Sequence, residues 1–145
     1  MTKNDPAEAR PLEVVRRMYA AFEARDEGEL RRLIDPDVEW NQCEGFPGGA
    51  RRRGIEDVLQ AVFAANRSVW KGFSAPVEEL LESGDRVVAL GRYEGTHSQT
   101  GRSMHAAFAH IYRVRQGLIV SYDQVADTWP MVQAATAAAA EGRSS

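Results

Sequence analysis

The feature that most constrains this chain is a change of hydrophobic period near residue 75. Before it, apolar residues recur every three or four positions; after it, they alternate. Pro11 opens the first helical pattern, with Leu12, Val15, Tyr19 and Phe22 on one face. Asp26 followed by Glu29 marks a second helix start, and Leu30, Leu33 and Ile34 supply its apolar face. Asp35-Pro36 ends that helix, because the residue before proline disfavours helical geometry. Val38 to Asn41 then alternates as a short strand. Cys43 to Gly54 is rich in glycine and reads as a loop. A third helix carries Ile55, Val58, Leu59, Val62 and Phe63 on one face and ends near Ser68.

Beyond the change of period, four strands are expected: Val77 to Leu81, Val87 to Thr96, Met104 to Val114 and Leu118 to Ala126. Turns at Ser83-Gly84-Asp85, Gln99 to Arg102 and Arg115-Gln116-Gly117 separate them. Helices first and a strand meander afterwards imply an α+β fold, with helices on one face of an antiparallel sheet. Pro130 and the alanines at 137 to 140 favour a last helix on propensity. The expected organisation is a loose leader over 1–10, one domain over 11–129, and a C-terminal helix with a frayed tail over 130–145.

Composition sets the functional limits. A chain of 145 residues buries a core without disulfides or metals. Its net charge of −3 gives no large field, and Arg51 to Arg53 alone makes no basic face for nucleic acid. The single cysteine, Cys43, forms no internal disulfide and fits a reducing compartment. No stretch approaches the roughly 18 apolar residues that span a bilayer. The first residues carry charge and proline where a signal peptide needs an apolar core. A cytoplasmic protein without membrane or nucleic-acid partners is expected.

The order helix, helix, strand, helix, four strands resembles that of the SnoaL-like (nuclear transport factor 2-like) superfamily. The strings MYAAFEARDEGELRRLIDPDVEW, GDRVVALGRYEGT and FAHIYRVRQGLIVSYDQVADT carry the likeness. It implies a cone-shaped α+β barrel: a bent antiparallel sheet with three helices on its concave face and a small-molecule pocket between them. Members include ketosteroid isomerase, limonene epoxide hydrolase, scytalone dehydratase and polyketide cyclases. Fold alone assigns no reaction.

Strand alternation, anchored on that resemblance, sorts the side chains. Ala106, Phe108, His110 and Tyr112 turn inward, as do Tyr122, Gln124, Ala126, Val87, Ala89, Gly91, Tyr93 and Trp40. His110 falls where ketosteroid isomerase has an oxyanion-stabilising carboxylic acid. Trp40 falls at its general-base aspartate, and an indole abstracts no proton. Ala21 stands for its hydrogen-bonding tyrosine. Gln124 stands where limonene epoxide hydrolase has a water-activating aspartate, and an amide orients water without acting as a base. Neither mechanism transfers intact.

His110 is the leading acid/base or oxyanion-donor candidate, with a hydrogen-bonded core histidine as its structural alternative. Gln124 would orient substrate or water. Asp127 is a third catalytic candidate that could equally cap the final helix. Glu44 would overhang the pocket mouth. Tyr19, Trp40, Phe63, Trp70, Tyr93, Phe108, Tyr112 and Tyr122 would give an aromatic, substrate-binding lining. Asp123 faces away. His97 and His105 lack a third metal ligand, and Cys43 lacks a local base.

The expected function is binding of a small hydrophobic oxygenated molecule. As an enzyme the chain would be a cofactor-independent isomerase, cyclase, dehydratase or hydrolase. The alternative is a non-catalytic ligand-binding or dimeric scaffold protein. Val88, Leu90, Ala107, Ala109 and Ile111 would leave the convex face apolar, so a homodimer is expected.

Overall fold

A computed structural model describes residues 9–144, with side chains through residue 136. Residues 1–8 of the expected leader lie outside the described residues. Helix α1 spans Pro11–Ala24 and buries Val14, Val15, Met18 and Ala21. Helix α2, Glu27–Leu33, starts where the Asp26 carboxylate accepts a hydrogen bond from the Glu29 backbone N–H at 3.0 Å. That bond satisfies one of the free donors at a helix start. Helix α3 continues through Ile55–Asp57, a π-helical stretch Val58–Ala64, and Ala65–Val69. Helix α4 is Trp129–Ser144.

Seven strands form one curved sheet: β1 Ile34–Asn41, β2 Arg51–Arg53, β3 Trp70–Ser74, β4 Val77–Ser83, β5 Arg86–His97, β6 Ser103–Arg115 and β7 Leu118–Ala126. Their order is β2-β1-β7-β6-β5-β3, and β4 also pairs with β5. The sheet departs from the expected all-antiparallel form at one place: β1 runs parallel to β7, with Trp40 opposite Tyr122. The first strand thus neighbours the last, and the rest of the domain supplies the long connection a parallel pair needs.

Two strands lie in segments expected to be irregular. β2 is three arginines with no apolar alternation, visible only through its pairing with Glu39–Asn41. β3 carries Gly72 at φ +65° and an irregular register against β5, which masks its period. β1 begins at Ile34, so Asp35-Pro36 falls inside a strand rather than behind a helix. The turn between β6 and β7 has Gln116 and Gly117 both at positive φ, the backbone of a two-residue hairpin.

Inward and outward faces of the long strands separate cleanly. On β6, Met104, Ala106, Phe108, His110, Tyr112 and Val114 are all buried, while the residues between them are exposed or half-buried. Helices α1, α2 and α3 pack with the inner face into one core around Val15, Met18, Val38, Trp40, Val58 and Tyr112. A second core joins α4 to β3, β5 and β6 through Phe46, Trp70, Tyr93, Phe108 and Met131. Tyr93 and Phe108, on neighbouring strands with ring centroids 4.6 Å apart, belong to this second core beside the first.

Candidate active site

Between α1, α3 and the inner sheet face lies a cavity of about 40 Å3. Tyr19, Trp40, Phe63, Tyr93, His110, Tyr112, Tyr122 and Gln124 line it, together with Met18, Phe22, Gln42, Val62, Asn66, Phe73 and Ala75. None of these residues carries an acidic or a strongly basic side chain. The partly exposed ones, among them Phe22, Gln42, Asn66 and Phe73, form its mouth.

Strand register explains how its polar groups meet. His110 pairs with Ala89 on one side and Gln124 on the other. Alternation sends His110 and Gln124 to the same face. A chain of hydrogen bonds then crosses the cavity wall. The Tyr112 hydroxyl donates to Tyr19 Oη at 2.7 Å, and Tyr19 Oη lies 2.6 Å from His110 Nδ1. His110 Nε2 bonds the Tyr93 hydroxyl, which also accepts from Gln124 Nε2 at 2.7 Å. Gln124 Oε1 accepts from the Cys43 backbone N–H at 3.0 Å and from its thiol at 3.3 Å.

Each ring nitrogen of His110 thus meets a phenol, Tyr19 at Nδ1 and Tyr93 at Nε2, and the neutral ring donates through one nitrogen and accepts through the other. His110 stacks on Phe108 with centroids 3.8 Å apart and planes 9° from parallel. Burial pushes its pKa down from 6.5 to about 3, so the ring is neutral across the physiological range. The same burial raises the phenol pKa values of Tyr19, Tyr93, Tyr112 and Tyr122, holding them protonated. Trp40 stacks on Tyr122 at 3.9 Å and meets Phe63 edge-on at 5.6 Å.

Four expected site residues lie elsewhere. Asp127 is exposed beyond the end of β7, with its backbone N–H bonded to Ala107. Glu44 is exposed in the turn after β1 and is not among the cavity-lining residues. Trp70 is fully buried in the second core, edge-on to His97. Phe108 backs His110 from that core instead of lining the cavity. In the other direction, Gln42 and Asn66 were not anticipated. Gln42 follows Trp40 by two positions, and strand alternation extended past Asn41 was the signal for it.

The remaining chemistry-bearing residues have structural settings. His97 Nδ1 accepts from the backbone N–H groups of Gln99 and Thr100, both at 3.3 Å, bracing that turn. His105 is exposed, 3.9 Å from Glu94. Asp123 faces outward and accepts from Asn41 Nδ2 at 3.0 Å. Among the described residues no group of three His, Cys, Asp or Glu side chains converges as a metal site. Nor is any described helix long and apolar enough to cross a membrane. A larger groove of about 450 Å3 runs over the outer sheet face among Asp37, Glu39, Arg53, Arg86, Arg113 and Asp123. It is polar and open, without the convergent buried groups of the inner cavity.

Comparison with known proteins settles the lineage. The SnoaL-like domain matches residues 15–122 of this sequence. The chain belongs to the SnoaL-like family. Within that fold family it is similar to an NTF2-like protein from Burkholderia thailandensis, 33% identical over 88% of this chain and 98% of that one, with TM-score 0.84. It is also similar to IdmH from Streptomyces antibioticus, a proposed polyketide cyclase, at 26% identity over 88% and 99% of the two chains, TM-score 0.73. TerC, co-crystallised with polyporic acid, is 28% identical over 86% and 96%, TM-score 0.72. No curated protein matches this SnoaL-like chain.

Proposed function

We propose that this SnoaL-like protein binds an uncharged, hydrophobic, oxygenated small molecule in the inner cavity. We further propose that it acts there as a cofactor-independent isomerase, cyclase, dehydratase or hydrolase. The observation that carries the reading is His110: a buried, neutral imidazole bonded to a phenol through each nitrogen. Such a ring accepts a proton at one nitrogen while releasing one from the other, so it relays protons without becoming a buried cation. Gln124 holds the Tyr93 end of that relay in place. The likeness to a proposed polyketide cyclase and to a protein crystallised with polyporic acid supports a flat, oxygen-bearing ligand.

A second reading, ligand binding without turnover, has its own support. The lining holds no carboxylate, and an imidazole with a pKa near 3 is a weak base. Size bears on both readings. Sites for drug-sized ligands measure on the order of 300 Å3 or more, so a ligand of that size requires the 40 Å3 cavity to widen.

A thermal-shift screen of neutral aromatic and polyketide-like compounds tests the proposal against wild type, His110→Gln and Phe63→Ala. Hits should raise the melting temperature of wild type and lose their effect in Phe63→Ala. Hits that wild type converts and His110→Gln binds without converting establish the enzyme. Binding without conversion leaves the second reading. No stabilising compound, or shifts indifferent to Phe63, would sink both.

A further inference from the structure

We infer that polar recognition in this cavity occurs at Trp40 and Gln42, and that the ligand is an uncharged molecule with a carbonyl-type oxygen beside a hydroxyl. The inference rests on the cavity being a small-molecule site and adds which wall reads the ligand. Among the described residues, five buried side-chain polar atoms have no hydrogen-bond partner: Trp40 Nε1, Gln42 Oε1, Arg52 Nε, Trp70 Nε1 and Arg113 Nε. Arg52 and Arg113 belong to guanidinium groups that face Asp57 and Asp85. Trp70 lies in the second core. The other two atoms belong to residues that line the cavity.

Trp40 lies near the end of β1 and Gln42 just past it, and both side chains line the cavity. Trp40 is only 2% exposed. Its indole nitrogen is a donor and never an acceptor, so only an acceptor atom satisfies it. Gln42 Oε1 needs a donor. The pair therefore asks for an oxygen acceptor next to an O–H.

The neighbouring polar groups of the same sheet face make no such demand. Tyr112, Tyr19, His110, Tyr93, Gln124 and Cys43 already bond one another. A ligand bonding to those groups competes with existing bonds, whereas at Trp40 and Gln42 it gains two that the protein lacks. Leaving buried donors and acceptors unmet is the larger cost, which is why such sites reject analogues missing one group. Charge is selected against as well. The lining offers no Lys, Arg, Asp or Glu to compensate a desolvated ion. The stacked faces of Trp40 and Tyr122 suit a flat ring.

The test uses the full-length protein labelled with 15N and three small probes: 3-hydroxyacetophenone, acetophenone and 3-hydroxybenzoate. The chain has three tryptophans, and the Trp40 indole N–H signal is identified by its loss in Trp40→Phe. The hydroxyketone should move that signal downfield and bind about fivefold to tenfold more tightly than acetophenone. Gln42→Leu should erase the preference between the hydroxyketone and acetophenone. The benzoate should bind at least about tenfold more weakly than the hydroxyketone.

If probes perturb other cavity signals while the Trp40 N–H stays put, the inference fails and the cavity reading stands. It fails in the same way if the preference survives Gln42→Leu or the benzoate binds equally well. If no probe perturbs any cavity signal, the cavity reading falls and takes the inference with it.

Discussion

Tyr19 Oη sits 2.6 Å from His110 Nδ1, and Tyr93 bonds the opposite nitrogen of the same ring. One phenol comes from α1 and the other from β5, so the imidazole ties a helix to the sheet while remaining neutral. The neutral state has a stability consequence. Desolvation lowers the folded pKa of His110 to about 3, below the unfolded value near 6.5. Between those values the unfolded chain holds a proton that the folded chain does not. Stability is therefore complete above pH 6.5 and falls as pH drops toward 3. At pH 5 the loss from this group alone is about 2 kcal/mol. Urea melts at pH 7 and pH 5 should show that loss in wild type and its absence in His110→Gln. Equal pH slopes would remove the claim.

Gln124 is 5% exposed and holds three groups at once: the Tyr93 hydroxyl, the Cys43 backbone N–H and the Cys43 thiol. Gln124→Leu keeps the volume and removes every bond. It should cost about 1–3 kcal/mol, since the Cys43 N–H is left without its acceptor. Thermal unfolding reads the cost. A change within about 0.5 kcal/mol would mean that water or backbone replaces the amide, as at ordinary surface positions.

Most of this arrangement was legible in the sequence because it follows from period two. Counting outward from the turn at Gln116-Gly117 brings His110 to within one residue of its partner, and a register shift between Arg113 and Val114 sets that partner as Gln124 rather than Asp123. The inward set of β6 follows from the same alternation. What stayed hidden depends on contacts between distant segments. β2 exists because Glu39–Asn41 offers a free edge, which three arginines do not advertise. The parallel pairing of β1 with β7 is a long-range contact with no local mark. Trp70 carries the same aromatic signal as Trp40, yet it follows α3 into the second core, where His97 and Met131 surround that packing. The lowered pKa of His110 comes from the protein closing over it, which no residue type announces.

Gly91 is where the curvature of the sheet is most exposed to a test. It lies on β5 opposite Phe108, beneath the Pro76 carbonyl that accepts from the Arg92 N–H at 3.1 Å. A Cβ there would collide with Pro76 backbone and the Phe108 ring. Because backbone yields less readily than a side-chain tip, Gly91→Ala should destabilise by about 1–3 kcal/mol. The neighbouring Gly84, whose added Cβ would meet no atom, has φ +59° and suffers only the backbone strain. A chemical melt of Gly91→Ala that matches wild type would show that the Pro76 segment shifts freely.

The outer sheet face is proposed to hold a second copy of this chain. Strand register places Leu81, Val88 and Ile111 in one row across it, and Leu90, Ala109 and Val125 in the next. Leu81 is 48% exposed and Val125 57%, and the row mates between them are half-buried. No helix among the described residues covers this face, whereas α1 to α3 and α4 cover the inner one. A patch of this kind is an association surface, and a two-fold pairing buries the same rows of both copies. Light scattering at micromolar concentration should report twice the 16.1 kDa chain mass. The double variant Leu90→Lys, Val125→Lys places two cations in the second row and should return the mass to that of a single chain. Its melting temperature should become independent of protein concentration, while that of wild type rises with concentration as mass action requires. A wild-type protein that scatters as one chain would overturn the pairing, as would a double variant that stays dimeric.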